Sequence, residues 1–289
     1  MKVTPASIRK RHLIQRLGFI LLTMIALMTI SVILLILGYI FYKGLPALSW
    51  DFLFSFPTNG LKSGGIFPAI LGTILLTFVT TLFAVPIGIG GAIYLAEYAP
   101  DNKWTRSIRL AIINLAGIPS VVYGLFGLGA FVIFMQLGVS ILAGALTLGI
   151  MTLPVVITAS EEALRAVPQA FRVVSISLGA TRWQTVRRIV LPQALSGIMT
   201  GVILGLERAA GETAPILFTA AVVYSPSLPK SLLAPTMALP YHLYTISTQV
   251  PGMPEPIQYG TAMVLLILVL GLNAIATIIR ARARSRRQW

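Results

Sequence analysis

Residues 160–192 read SEEALRAVPQAFRVVSISLGATRWQTVRRIVLP, and this stretch decides the fold. It is polar, lies between two long apolar runs and carries its own helix signals. Ser160 is placed to cap a helix, with Glu161 and Glu162 favourably near the N-terminal dipole. Leu164, Val167, Phe171, Val174 and Leu178 follow at spacings of three and four, an amphipathic stripe. Gly179 stands where a helix C-terminus favours a residue of positive φ. Thr181 followed by Gln184 is a capping box that starts a second helix. That helix is expected to run to Leu191, with Pro192 opening the next apolar run. The product is a helix–glycine–helix elbow, too polar to be embedded in a bilayer. It reads either as a docking element, offering an apolar ridge beside Arg172 and Arg182, or as a loop packed on its own chain.

The runs on either side define the class of protein. Of 289 residues, 56% are apolar and only 10% charged, where a soluble domain carries about 25% charged residues. The apolar content excludes disorder, and the absence of cysteine excludes a secreted disulfide scaffold. A spanning helix needs about 20 mostly apolar residues. Six stretches qualify: 17–42, 66–96, 108–137, 139–159, 192–223 and 257–279. The division between the third and fourth rests on Gly138. Pro86, Pro119, Pro154 and Pro215 lie inside these runs and are tolerable where neighbouring helices satisfy the freed backbone groups. Gly117-Ile118-Pro119-Ser120 reads as a simple kink, or as a break that aims backbone N–H groups at an anion. Gly88, Gly90 and Gly91 suit close helix packing, and Trp50 and Trp104 suit interface anchors.

The formal net charge is +14, and its distribution gives the orientation. Eighteen cations fall in the N-terminus, residues 103–109, the elbow and the C-terminal tail. Only Lys43, Lys62 and Lys230 fall on the opposite side, and Arg208 lies within an apolar run. The positive-inside rule therefore places both termini and the elbow in the cytoplasm. The first run is too long for a signal-peptide core and lacks a small-residue cleavage site, so it reads as an uncleaved anchor. The basic clusters read as topology signals and lipid-headgroup contacts, with no nucleic acid partner. Outside, residues 224–256 hold seven of the 18 prolines and cannot form one helix. That segment is expected to be a short interfacial helix around residues 241–246 or a plain loop.

The fifth run contains Leu206-Glu207-Arg208-Ala209-Ala210-Gly211-Glu212-Thr213-Ala214-Pro215. Arg208 falls near the middle of 192–223, where a charge costs at least about 2.5–3.5 kcal/mol. Arg208 and Glu212 are four apart on one helix face, while Glu207 is rotated about 100° away and needs another partner. One reading is a buried ion pair that aids packing. The other is an anion site: the guanidinium grips an oxyanion bidentately, Glu212 holds Arg208 and moderates its field, and Thr213 adds a hydroxyl. No metal cluster is expected, since His12 lies in the basic N-terminus and His242 in the outer segment. No Walker A run is present, so the chain supplies no nucleotide site, no cofactor and no catalysis of its own.

Gly179, nine residues, Ile189, one residue and Leu191-Pro192 resemble the cytoplasmic EAA loop of ABC importer permeases. Val173-Val174-Ser175 stands where that pattern has Glu-Ala-Ala, which removes its acidic residue. Residues 64–73, 94–99, 196–201, 206–215 and 217–219 are similar to the PstA family, permease subunits of phosphate-specific ABC importers; the likeness runs from Gly64 to the end. The resemblance implies an all-α polytopic membrane protein of the type I ABC importer permease fold, with six transmembrane helices and a cytoplasmic coupling elbow. It implies residence in the bacterial inner membrane as a heterodimer with a PstC-like sister permease. Two PstB-like ATPase subunits would bind below and a PstS-like phosphate-binding protein outside.

The organisation expected is an N-terminal anchor region over 1–65, a transmembrane domain over 66–282 and a basic tail over 283–289. Arg208, Glu212, Thr213 and Glu207 would line the phosphate path. Phe171, Arg172, Leu178, Gly179, Ala180 and Thr181 would couple to the ATPase. Two other readings stay open: an ion-coupled secondary transporter with Glu212 as proton carrier, and an ABC permease for another oxyanion.

Overall fold

In lipid every backbone polar group needs an internal partner, so the apolar runs fold as helices. The computed structural model describes the backbone of residues 5–285 and the side chains of residues 14–282. Lys2, Arg9, Lys10, Arg11 and His12, and the basic tail over 283–289, fall outside the described side chains. Among the described residues twelve α-helices follow in chain order: α1 Pro5–Gly44, α2 Trp50–Phe54, α3 Phe67–Ile93, α4 Lys103–Ala116, α5 Ser120–Gly127, α6 Ile141–Arg165, α7 Gln169–Ser177, α8 Arg182–Thr185, α9 Leu191–Gly211, α10 Ala214–Thr219, α11 Leu239–Thr248 and α12 Glu255–Ser285. π-helical turns extend α3 over Tyr94–Tyr98, extend α5 over Leu128–Phe134 and join α8 to α9 over Val186–Val190. Among the described residues five segments are long and apolar enough to cross a membrane, and α4 with extended α5 makes a sixth crossing if that bent pair counts as one.

Helices α3, α6 and α9 form the centre. Leu76, Val79, Leu148 and Met151 pack one half of the core with Ile216 and Ala220, and Val156, Leu164, Val190 and Ile198 pack the half nearer the elbow. Gly197 and Gly201 of α9 face Ala163 and Ala159 of α6 so closely that added β-carbons would lie 2.5 and 2.6 Å from those methyls. This spacing of four lets the two backbones approach, the usual device of membrane helix packing. Of the three glycines expected to pack closely in α3, Gly88 lies against Val156, whereas Gly90 faces open space.

Four expectations need correction, and proline accounts for three. The third apolar run is not one kinked helix: α4 and α5 meet at 101°. Pro119 has no N–H to continue α4 and pushes Ile118 out of the helical region. The fifth run is not continuous to residue 223, because α9 stops at Gly211 and Glu212 is extended (ψ 135°). Pro215 cannot bond the Gly211 carbonyl and its ring would clash there. In the elbow, Ser160 does not cap a new helix; α6 runs through it to Arg165, and Pro168 then ends the stripe's first part and precedes α7. Leu164 and Val167 therefore belong to the core, not to the ridge. Finally, Pro192 does not open a separate span. The π-turn at Val186–Val190 lets α8 run on into α9, a local widening that accommodates the proline.

On the side away from the elbow, a cap forms from α2, a two-residue hairpin (Pro57–Thr58 with Ser63–Gly64) and residues 220–256. The helix expected near 241–246 is α11, opened by Pro240 in its first turn. Leu239, His242 and Ile246 are almost fully buried, and the Thr73 hydroxyl accepts from the Leu239 N–H at 2.8 Å. Burial lowers the His242 pKa to about 4, so it sits in the cap as a neutral core residue. Helix α1 lies against α12 at this same side, through the edge-on Tyr39–Tyr259 pair and the Lys43–Glu255 ion pair at 2.9 Å. The rest of its described surface is exposed and apolar.

Candidate functional site: an arginine at a helix end and a docking elbow

Because α9 stops at Gly211, Arg208 sits in the last helical turn, where the C-terminal dipole favours a cation. Glu212 is off the helix, yet its Oε1 still lies 3.4 Å from Arg208 Nε. Charge-assisted bonds are normally 2.7–2.9 Å, so this pair is slack. The remaining guanidinium donors have no partner among the described residues. The pair keeps 30% and 20% side-chain exposure. Glu207 is half-buried and joins no ion pair among the described residues. Thr213 precedes α10 without capping it.

Helix α5 brings a residue that sequence reasoning missed. Gly124 packs against the Ala214–Pro215 backbone, which brings the adjacent Tyr123 to the segment that follows Arg208. The Tyr123 hydroxyl donates to the Leu115 carbonyl at 2.8 Å, which also accepts from the Ile118 N–H at 3.1 Å, so it ties α5 back to the end of α4. The available signal was a tyrosine one turn beyond a helix-breaking proline.

The elbow has two faces. Outward, Phe171, Val174, Leu178, Ala180 and Ile189 line a groove of about 520 Å³, with Gln184 and Arg188 at its edge. Leu178 is 84% exposed. Gly179 holds φ +85°, and Thr181 and Gln184 complete the capping box with both reciprocal bonds formed. Inward, Arg172 turns away from the groove. It forks onto Glu97 with contacts of 2.6–3.2 Å and donates to the Leu164 and Val167 carbonyls. Ser175 and Thr185 share a hydroxyl contact that ties α7 to α8. Nearby, Glu161 receives Arg109 at 2.7 Å and Arg165 at 2.9 Å.

Glu97 and Glu161 were also missed as partners. With only eight acidic residues in the chain, an acid at the end of an apolar run was the signal. Thus Phe171, Leu178 and Ala180 share the groove, Gly179 and Thr181 shape it, and Arg172 anchors it from behind. Among the described residues no cluster of His, Cys, Asp and Glu has the makings of a metal site.

Comparison with known proteins bears on this geometry. A family model described as "Binding-protein-dependent transport system inner membrane component" matches residues 84–287. The "Probable ABC transporter permease protein YqgI" of Bacillus subtilis is 36% identical over 252 residues, covering 83% of this chain and 85% of its own. The "Probable phosphate transport system permease protein PstA" of Methanocaldococcus jannaschii is 36% identical over 231 residues, 80% of each chain. Among solved structures, a bacterial ABC transporter that imports the acidic polysaccharide alginate superposes with a TM-score of 0.67 at 16% identity, covering 95% of this chain and 99% of that one. An inward-facing MetNI methionine ABC transporter gives 0.61 at 19% identity over 74% and 94%. At such identities the structures speak for the fold, while the family match spans most of the sequence. The chain belongs to the inner-membrane permease components of binding-protein-dependent transport systems, and its fold is that of the type I ABC importer permeases.

Proposed function

We propose that this chain is the phosphate-translocating permease subunit of an ATP-driven importer, with the elbow in the cytoplasm and residues 224–256 outside. The observation that carries the reading is the Arg208 guanidinium: held at Nε by Glu212, with no other partner among the described residues, and partly exposed within an apolar bundle. A purely structural ion pair would be short and saturated, as Arg172–Glu97 is. A loosely restrained guanidinium instead suits transient capture of an oxyanion. Glu212 and Glu207 offset its charge, so an anion is gripped without being trapped. The relatives named PstA favour phosphate among oxyanions.

Coupling follows from one element. From the capping box to Gly211 the helix is continuous, 30 residues or about 45 Å. Its first turns line the groove and its last turn carries Arg208. An ATPase seated on Phe171 and Leu178 would displace this rod directly, and Arg172 would carry the same motion to α3 through Glu97. A PstC-like sister permease would complete the path beside Arg208, with a PstS-like binding protein delivering phosphate from outside. The groove also weighs against an ion-coupled carrier, which needs no docking elbow.

The test is uptake of radiolabelled phosphate by cells or proteoliposomes carrying Arg208→Gln. Uptake is expected to vanish while the variant still assembles with its ATPase. Normal uptake would overturn the path assigned to Arg208.

A further inference from the structure

One polar cavity belongs neither to Arg208 nor to the docking groove. It lies between the elbow-side ends of α9 and α12, has a volume of about 340 Å³ and is lined by Ser196, Gly197, Thr200, Thr277, Arg280 and Ala281. Arg280 Nη1 donates to Thr200 Oγ1 at 3.1 Å, and the Thr200 hydroxyl donates in turn to the Ser196 carbonyl at 3.0 Å. The Thr277 hydroxyl bonds Asn273 Oδ1 at 3.2 Å. The guanidinium is thus fixed across the cavity by a neutral partner. No carboxylate lines the cavity, and Arg280 joins no ion pair among the described residues.

Position completes the argument. The cavity sits where the apolar run of α12 gives way to arginine, the level of the lipid headgroups. Farther into the apolar zone, Leu204 lies one turn beyond Thr200 and Leu270 two turns beyond Thr277, on the same helix faces. Both are about half exposed, at 49% and 53%. A cationic, hydroxyl-lined cup therefore continues into an aliphatic track, the outline of a phosphate with an acyl chain. We propose that this cavity binds the phosphate headgroup of an anionic phospholipid, gripped by the remaining N–H donors of Arg280 and the Ser196 hydroxyl, with Thr200 and Thr277 shaping the cup. A free phosphate ion would satisfy the cup and leave the track unused.

The experiment is native mass spectrometry of the full chain in detergent, titrated with phosphatidylglycerol or phosphatidylcholine. Wild type is expected to retain phosphatidylglycerol preferentially, and Arg280→Gln to lose that retention by about tenfold or more. Ser196→Ala leaves the Arg280–Thr200 bond and the bond from Thr200 to the residue 196 carbonyl in place and should weaken retention several-fold by itself, which covers the case of a misfolded arginine variant. Arg106→Gln, removing an exposed cation elsewhere, should change nothing. Equal retention by wild type and both site variants would overturn the site. So would an equal loss in Arg106→Gln, which would mean bulk charge. Displacement of phosphatidylglycerol by millimolar inorganic phosphate would overturn the lipid as its ligand in favour of the free ion.

Discussion

Arginine plays two opposite parts in this chain. Arg172 is 11% exposed, its partner Glu97 9%, and two backbone carbonyls take further donors. Removing one member strands a nearly buried charge, which typically costs about 3–5 kcal/mol. Glu97→Gln or Arg172→Met should therefore lower the thermal stability of the chain in detergent sharply. The double variant Arg172→Met with Glu97→Leu should recover much of it, because it leaves neither charge unpaired. Arg208→Gln, by contrast, removes a slack and partly exposed pair worth about 1 kcal/mol or less. The two substitutions should separate cleanly: one lowers the melting temperature, and the other stops transport without moving it. A large stability loss in Arg208→Gln would mean that its role is structural after all.

At the scale of the element, the elbow is a rigid corner whose outward ridge is separable from its support. Leu178 is 84% exposed and Val174 58%, while Ser175 between them is buried against Thr185. Leu178→Glu should leave the chain's own melting unchanged and reduce co-purification of the ATPase by about tenfold, as expected for a lost apolar anchor. Undiminished co-purification would rule out docking at this ridge. Much of this element was legible beforehand: the capping box and the glycine at positive φ are local chemistry, written in four or five adjacent residues. The breaks at Pro168 and Pro215 were legible as prolines but not as helix ends, and at Pro119 the sequence offered a break beside a kink without the 101° bend. Hydropathy records that a run is apolar and is silent on its direction. Partners were the least legible. Arg172 finds Glu97 75 residues away and Arg109 finds Glu161 52 residues away, distances at which no periodicity operates.

Across the whole molecule, the asymmetry of eighteen cations against three is an orientation statement that the absence of cysteine makes easy to check. Ser177 in the elbow and Ser227 on the far side are both exposed. In intact cells a membrane-impermeant maleimide should label Ser227→Cys, and should label Ser177→Cys only after permeabilisation. The reverse pattern would invert the whole assignment of faces. The close contact of α1 with α12 has a further consequence, for biosynthesis. Lys43 and Glu255 are 212 residues apart, so α1 meets α12 only after the intervening chain has been made. At about 5–20 residues per second, that leaves α1 waiting in the bilayer for roughly 10–40 s. Over that interval it is held by its own affinity for lipid.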